Sequence, residues 1–161
     1  MTILDALNWV EGSAFAQAVR TIPHLYPVLE SAHILGIALL VGSAIAVDLR
    51  LIGLGKDVPP VILVTRYLLP LSHAGFALVA LTGLVMFCGI ATSVVASPAA
   101  PWKFGLIGLA GVNIAIFHFG IYRQVDAWNL SKPSPLTAKI AGSVSALTWS
   151  GVIVAGRFLA Y

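Results

Sequence analysis

Two polar residues one helical turn apart are the first candidates for chemistry in this sequence. Glu30 and His33 begin the apolar run ESAHILGIALLVGSAIAVDLR, which carries no further charge before Asp48. Residues three apart in a helix lie on one face, so the carboxylate and the imidazole would be neighbours. Ionisable side chains inside membrane-spanning helices are rare and mark paths for ions, protons or ligands. The pair therefore indicates a functional site.

Two further histidines, His73 and His118, lie in later apolar runs. Counted at 1.5 Å per residue from Arg66 and Arg123, they lie about 10 Å and about 7–8 Å inside the same membrane boundary. Two imidazoles at similar depth on neighbouring helices are what the axial ligands of a b-type haem require. His118 and His73 are therefore one predicted pair of iron ligands, with His118 ranked first.

His33 is a third candidate iron ligand, at the opposite end of the membrane. It lies about 22 Å from Asp48 along the helix. At its own level the predicted partners are Met86 and His24, and a His/Met pair is a known form of haem ligation.

Charged residues accompany His33 in this outer layer. Arg157, in the last turn of the final apolar run, is the predicted partner of Glu30, and Glu30 and Arg157 are the predicted catalytic residues. Glu30 would carry a proton near a quinol site. Lys103 and Arg157 would neutralise haem propionates or another bound anion. Ser143, Ser150 and Arg157 recur every seven residues and predict an inward polar stripe.

Other cofactor chemistry has weaker support. Four histidines in one chain suggest a copper or zinc site. No two of them, however, lie at the H-x-H or H-x-x-x-H spacing that a compact metal site on one helix uses. Cys88 is the only cysteine, which excludes a thiolate cluster and an intrachain disulfide. The sequence contains no phosphate-binding loop and no nucleophile–base motif.

The composition indicates that membrane helices must position these residues. Of 161 residues, 59% are hydrophobic and 9% are charged, and the mean hydropathy is +0.97. Soluble domains carry about a quarter charged residues, so the predicted partner of the chain is a lipid bilayer. No basic stripe with interleaved aromatics is present, which argues against nucleic acid.

Four apolar runs predict an all-α integral membrane protein. The predicted spans are about 25–47, 67–91, 102–122 and 136–161, and an amphipathic helix over 3–20 would lie at the membrane interface. Short loops imply one antiparallel four-helix bundle covering 1–161. Small residues in the spans predict close helix packing and leave room for a homo-oligomer.

The distribution of lysine and arginine predicts orientation in a bacterial inner membrane. The membrane side that holds both termini carries three basic residues, and the opposite side carries six. The side with six is predicted to be cytoplasmic, which places both termini outside the cytoplasm. No cleavable signal peptide is expected, because the N-terminal segment lacks a basic start. The six are Arg50, Lys56, Arg66, Arg123, Lys132 and Lys139, and the three are Arg20, Lys103 and Arg157.

Several segments resemble a family of short bacterial four-span membrane proteins of unknown function. They are YPVLESAHILGIALLVGSAIAVDLRLIG, RYLLPLSHAGFALVALTGLVMF, WSGVIVAGRFLAY and the Trp-Lys start of the third span with Asn113 and His118. More distantly, the chain is similar to the bacterial four-span protoporphyrinogen oxidase and to copper-resistance D-type proteins. That similarity implies that His33 and His118 associate with haem and that Lys103 assists. The estimated depths in the membrane instead favour His73 and His118 as the two haem ligands. Both pairings, His33 with His118 and His73 with His118, therefore stay open.

Together these features predict a membrane protein of the b-type cytochrome kind. It would hold haem b between its helices and exchange electrons with a quinone or with a membrane or periplasmic redox partner. A haem-dependent oxidoreductase acting on a porphyrin precursor is a narrower form of this hypothesis. The alternative is a cofactor-free membrane subunit that anchors a partner or moves a small solute, with polar residues that satisfy one another.

Overall fold

A computed structural model describes residues 2–54, 59–129 and 134–159, and within these ranges the chain is helical without strands. Four of its helices are long and apolar enough to cross a membrane, which confirms the predicted all-α integral membrane fold. The helices are α1 (Ile3–Glu11), α2 (Ala14–Thr21), α3 (Leu25–Ile52), α4 (Val61–Gly89), α5 (Ala91–Ala96), α6 (Ala100–Phe119) and α7 (Leu136–Leu159), with a 3-10 helix (Ile121–Ala127) after α6.

The four long helices pack in the order α4, α3, α7, α6. In the described part of the chain, α4 and α6 are at the two ends of this order and share little direct contact. The second and third spans are therefore not packed neighbours, although they follow each other in sequence. This arrangement restricts which side chains from α4 and α6 can meet.

The second span begins at Val61, six residues before the predicted start. The Oδ1 atom of Asn129 accepts a hydrogen bond from the backbone N–H of Ile62 at 2.9 Å, which satisfies a free donor of the first turn. Asn129 is 8% exposed and comes from the segment after the 3-10 helix. Because this cap is contributed from a distant part of the chain, local sequence patterns could not predict it.

The N-terminal segment forms two short helices where the sequence predicted one. The Ser13 hydroxyl accepts from the N–H of Ala16 and so begins α2. Thr2 caps α1, and its N–H donates to the Asp5 carboxylate at 2.7 Å, which holds the pKa of that carboxyl below its usual value. Trp9 is 77% exposed, as expected for a helix whose apolar face meets lipid.

Two polar contacts attach these helices to one end of the bundle, which we name the outer end, and the opposite end is named the inner end. These names mark the two ends of the bundle only. The Glu11 carboxylate accepts from the backbone N–H of Thr92 at 2.7 Å and from its hydroxyl at 2.9 Å. The Arg20 guanidinium donates to the carbonyls of Gly89, at 2.8 Å, and Glu11, at 2.9 Å. Gly89 is the last residue of α4, so Arg20 satisfies a carbonyl at a helix C-terminus, where a cation is favourable.

The backbones of α3 and α4 cross closely at two glycines. A Cβ atom on Gly75 would collide with the backbone of Leu40, and one on Gly36 would lie 2.8 Å from a methyl of Val79. Ser43 and Ser72 form a hydrogen bond of 2.6 Å across the same contact. Small residues therefore support close packing here, as lipid-embedded helices require.

Substitution of Gly75 by Leu should separate α3 from α4. We expect a loss of about 1–3 kcal/mol or more in stability, because a large side chain must displace backbone. The matched control is Gly108→Leu on α6, where an added Cβ meets nothing within 4 Å of the described residues. Thermal unfolding in detergent measures both variants. An equal loss in the two would contradict the close contact.

Candidate functional site

His33 is half-buried at the contact between α3 and α4, and its ring is held by Thr82. The Nδ1 atom lies 2.9 Å from the Thr82 Oγ1, and Thr82 is 7% exposed. The Thr82 hydroxyl donates its own hydrogen to the Leu78 carbonyl at 2.6 Å. Where this hydroxyl donates to Leu78, its oxygen accepts from the His33 Nδ1–H, and in that tautomer the neutral ring has its lone pair on Nε2. The Val79 backbone is a further hydrogen-bond partner of the ring.

Gly83 gives this ring the space it needs. A Cβ atom at position 83 would lie 3.1 Å from the His33 Cε1 and 3.6 Å from its Nδ1. Any larger residue would press against the imidazole. The sequence pointed to His33 and to Gly83 as one of the small residues of the second span. It did not point to Thr82, whose signal was a hydroxyl near the end of an apolar span.

Two charged side chains complete an outer polar cluster, defined here as Glu30, His33, Thr82 and Lys103. Both Glu30 and Lys103 interact electrostatically with the His33 imidazole. The Lys103 Nζ lies beside α7, 3.6 Å from the position of a Cβ on Gly156. Polar groups from α3, α4 and α6 thus converge in one layer, and α7 borders it.

The other residues predicted for this layer lie around the cluster. Arg157 is exposed in the last turn of α7, next to Gly156, and Met86 is half-buried one turn beyond Thr82 on α4. Pairing of Glu30 with Arg157 and ligation by Met86 stay predictions. His24 is exposed in the connector before α3.

The predicted inward stripe on α7 is wrong in its register. Ser150 is exposed, and its hydroxyl donates to the Ala146 carbonyl of its own helix at 2.8 Å. The buried polar residues of α7 are Ser145 and Thr148. A seven-residue repeat keeps residues near one face, but it does not reveal which face is inside.

His118 lies at the inner end of the bundle, one residue before α6 ends. Its Nδ1 is 3.0 Å from the Ile114 carbonyl, which can only accept, so Nδ1 carries the proton and Nε2 has the lone pair. The ring lies 5.3 Å from the ring of Tyr122, whose hydroxyl is 2.9 Å from that of Thr65. His118 is therefore a second imidazole whose Nε2 could bind a metal.

His73 is exposed on α4, where it lines an open pocket of about 300 Å³. It shares this pocket with Tyr122, whose ring lies 5.3 Å from the ring of His118. The backbones of α4 and α6 share little direct contact, and the His73–His118 pairing stays a prediction. The pocket is lined by Ile62, Thr65, Arg66, Leu69, Pro70, His73 and Tyr122.

Among the described residues, no group of three or more His, Cys, Asp or Glu side chains is close enough to hold a metal ion. A protein-only metal centre with three such ligands is therefore not formed by 2–54, 59–129 and 134–159. Haem differs in this respect, because the porphyrin provides four of the iron ligands and the protein needs one or two.

Residues 6–161 match the family of unknown function (DUF6644), and the chain belongs to this family. No curated protein and no solved structure matches the chain. Membership of this family assigns no activity to the chain.

Replacement of Thr82 by Val should release the His33 ring while the shape of the side chain is kept. In ¹⁵N NMR spectra of histidine-labelled protein, we expect His33 of the unaltered chain to carry its proton on Nδ1. In Thr82→Val the two tautomers should mix, because the acceptor is gone. The control is Ser150→Ala, which removes an exposed hydroxyl. An unchanged His33 signal in Thr82→Val would contradict the hydrogen bond.

Proposed function

We propose that this protein binds a b-type haem at the outer polar cluster and exchanges electrons with a membrane quinone or a redox partner. The hydrogen bond from the His33 Nδ1–H to Thr82 carries this proposal. Histidines that bind metals almost always donate their other ring N–H to a neighbouring group, which orients the ring. His33 has this arrangement, in a bundle where polar groups are costly.

The residues of the cluster fit the haem group. Bound here, haem would supply the capacity to take up and pass on one electron. The His33 Nε2 would hold the iron, and the absence of a side chain at Gly83 leaves room for the imidazole ring. Lys103 would neutralise propionate carboxylates, since its ammonium already acts electrostatically at His33. Met86, one turn beyond Thr82, is the proposed second ligand from the same layer.

Glu30 belongs to the outer polar cluster, and Arg157 follows Gly156, which lies beside Lys103. In the proposed function, Glu30 takes up and releases a proton at the outer surface while a quinol is oxidised. Arg157 holds an anionic group in place, either the Glu30 carboxylate or a propionate. Both roles need residues that water can reach, and both side chains are exposed.

His118 cannot serve the same iron as His33. His33 lies nineteen residues before the inner end of α3, about 28 Å, whereas His118 is at the inner end of α6. Two axial nitrogens must lie about 2 Å from one iron on opposite sides. If His118 also binds haem, it binds a separate group near Tyr122.

Purification in detergent followed by absorbance spectroscopy tests the proposal. We expect a Soret band and, after reduction, an α-band. The His33→Ala variant should lose most of this absorbance, and the control His24→Ala, at an exposed histidine of the connector, should retain it. Absence of both bands from the unaltered protein would exclude haem and favour a cofactor-free anchor or transport subunit. Full retention by His33→Ala with loss by His118→Ala would move the site to the inner end.

The charge of Lys103 should also affect the redox potential of the bound group. A nearby cation stabilises the reduced, more negative form, so Lys103→Gln should lower the midpoint potential by on the order of 60 mV, or about 1.4 kcal/mol for one electron. Spectroscopic redox titration measures the shift. Lys139→Gln, at the inner end, is the control and should leave the potential unchanged. Equal shifts in the two variants would contradict the placement of Lys103.

A further inference from the structure

Asp48 is a buried carboxyl near the inner end of α3, away from the outer polar cluster. It is 5% exposed, and its Oδ2 has no hydrogen-bond partner among the described residues. The Ser145 hydroxyl of α7 is a hydrogen-bond donor to this carboxyl. The Oδ2 atom is nevertheless buried without a partner among the described residues. Native proteins rarely leave such a group unpaired, so it needs an explanation.

The surroundings of Asp48 keep bulk water away. A Cβ on Gly142 would lie 3.1 Å from the Asp48 carbonyl oxygen and 3.4 Å from its Cα, so α3 and α7 are in close contact at this level. Two apolar clusters border this level. The cluster toward the inner end is Val47, Leu51, Val61, Phe117, Val125, Trp128 and Ala138, and the one toward the centre is Leu40, Val41, Ala110 and Trp149.

No cation in the described part of the chain pairs with this carboxyl. On α3 itself, Arg50 donates through Nε to the Pro59 carbonyl at 2.7 Å. On α4, Arg66 and Tyr67 are exposed. On α7, Lys139 lies one turn before Gly142. None of them is bonded to Asp48, so an ionised carboxylate here would be an uncompensated charge in an apolar region.

We propose that Asp48 and Ser145 form an intramembrane proton-binding site. The resting carboxyl carries a proton and is neutral, so no charge is buried, and an oxygen of the carboxyl accepts from Ser145. A proton needs one oxygen, whereas a metal cation at this position would need several more oxygen ligands than these two residues provide. Release of the proton requires α3 and α7 to separate, because the ionised form must be hydrated. The site does not depend on haem.

Infrared spectroscopy of the protein in detergent tests this directly. At neutral pH we expect the C=O stretching band of a protonated carboxylic acid, slow to shift in D₂O. Asp48→Asn should remove the band and keep the fold, since the amide is a neutral isostere. Glu30→Gln, which changes an exposed carboxylate, is the matched control and should leave the band. A wild-type spectrum without the band, or a band that survives in Asp48→Asn, would overturn the proposal.

A second variant keeps the proposal testable if Asp48→Asn fails to fold. Ser145→Ala removes the hydroxyl that donates to the carboxyl, so the C=O band should move to higher wavenumber. The unfolded chain releases this proton at ordinary acidic pH whereas the folded chain retains it, so the unfolding temperature should fall as pH rises from about 4 to neutrality. A band that Ser145→Ala leaves in place, or an unfolding temperature independent of pH, would overturn the assignment.

Discussion

The close backbone contact between α3 and α4 is the constraint on which the rest of the structure depends. Gly36 and Gly75 let the two helices approach, and nothing larger than glycine fits at position 75. This contact sets one register for the whole helix pair. In that register His33 meets Thr82 and Ser43 meets Ser72. The outer polar cluster therefore exists because two glycines, in the middle of the bundle, fix which residues lie side by side.

Polar groups in the bundle follow the rule that lipid imposes, namely that each must find a partner within the protein. Thr65 bonds to Tyr122, and the Asn113 amide donates to the Ala141 carbonyl at 3.0 Å. These contacts join helices without implying chemistry. His33 and Asp48 differ from them. The first keeps a lone pair on Nε2, and the second keeps an oxygen without a partner. A polar atom at membrane depth that has no hydrogen-bond partner marks a candidate site. Polar groups that bond to each other only join the helices.

The two candidate sites lie at opposite ends of α3. His33 lies in the N-terminal half of the helix, close to the charged side chains of Glu30 and Lys103. Asp48 is near the inner end, between two apolar clusters that exclude water. One helix thus carries both an imidazole suited to metal ligation and a carboxyl suited to holding a proton. Because α3 packs on both α4 and α7, a shift of this helix would alter both environments.

The sequence by itself determined the number and approximate position of the spans, the all-α class and the outer layer that contains Glu30, His33 and Lys103. Hydropathy and residue counting suffice for these features, because depth in a membrane is a one-dimensional property of a helix. Tertiary structure alone decided the rotation and neighbours of each helix. It turned Ser150 outward, brought Asn129 to the start of α4 and buried Asp48. These outcomes depend on how side chains far apart in sequence fit together, and no local pattern encodes that fit.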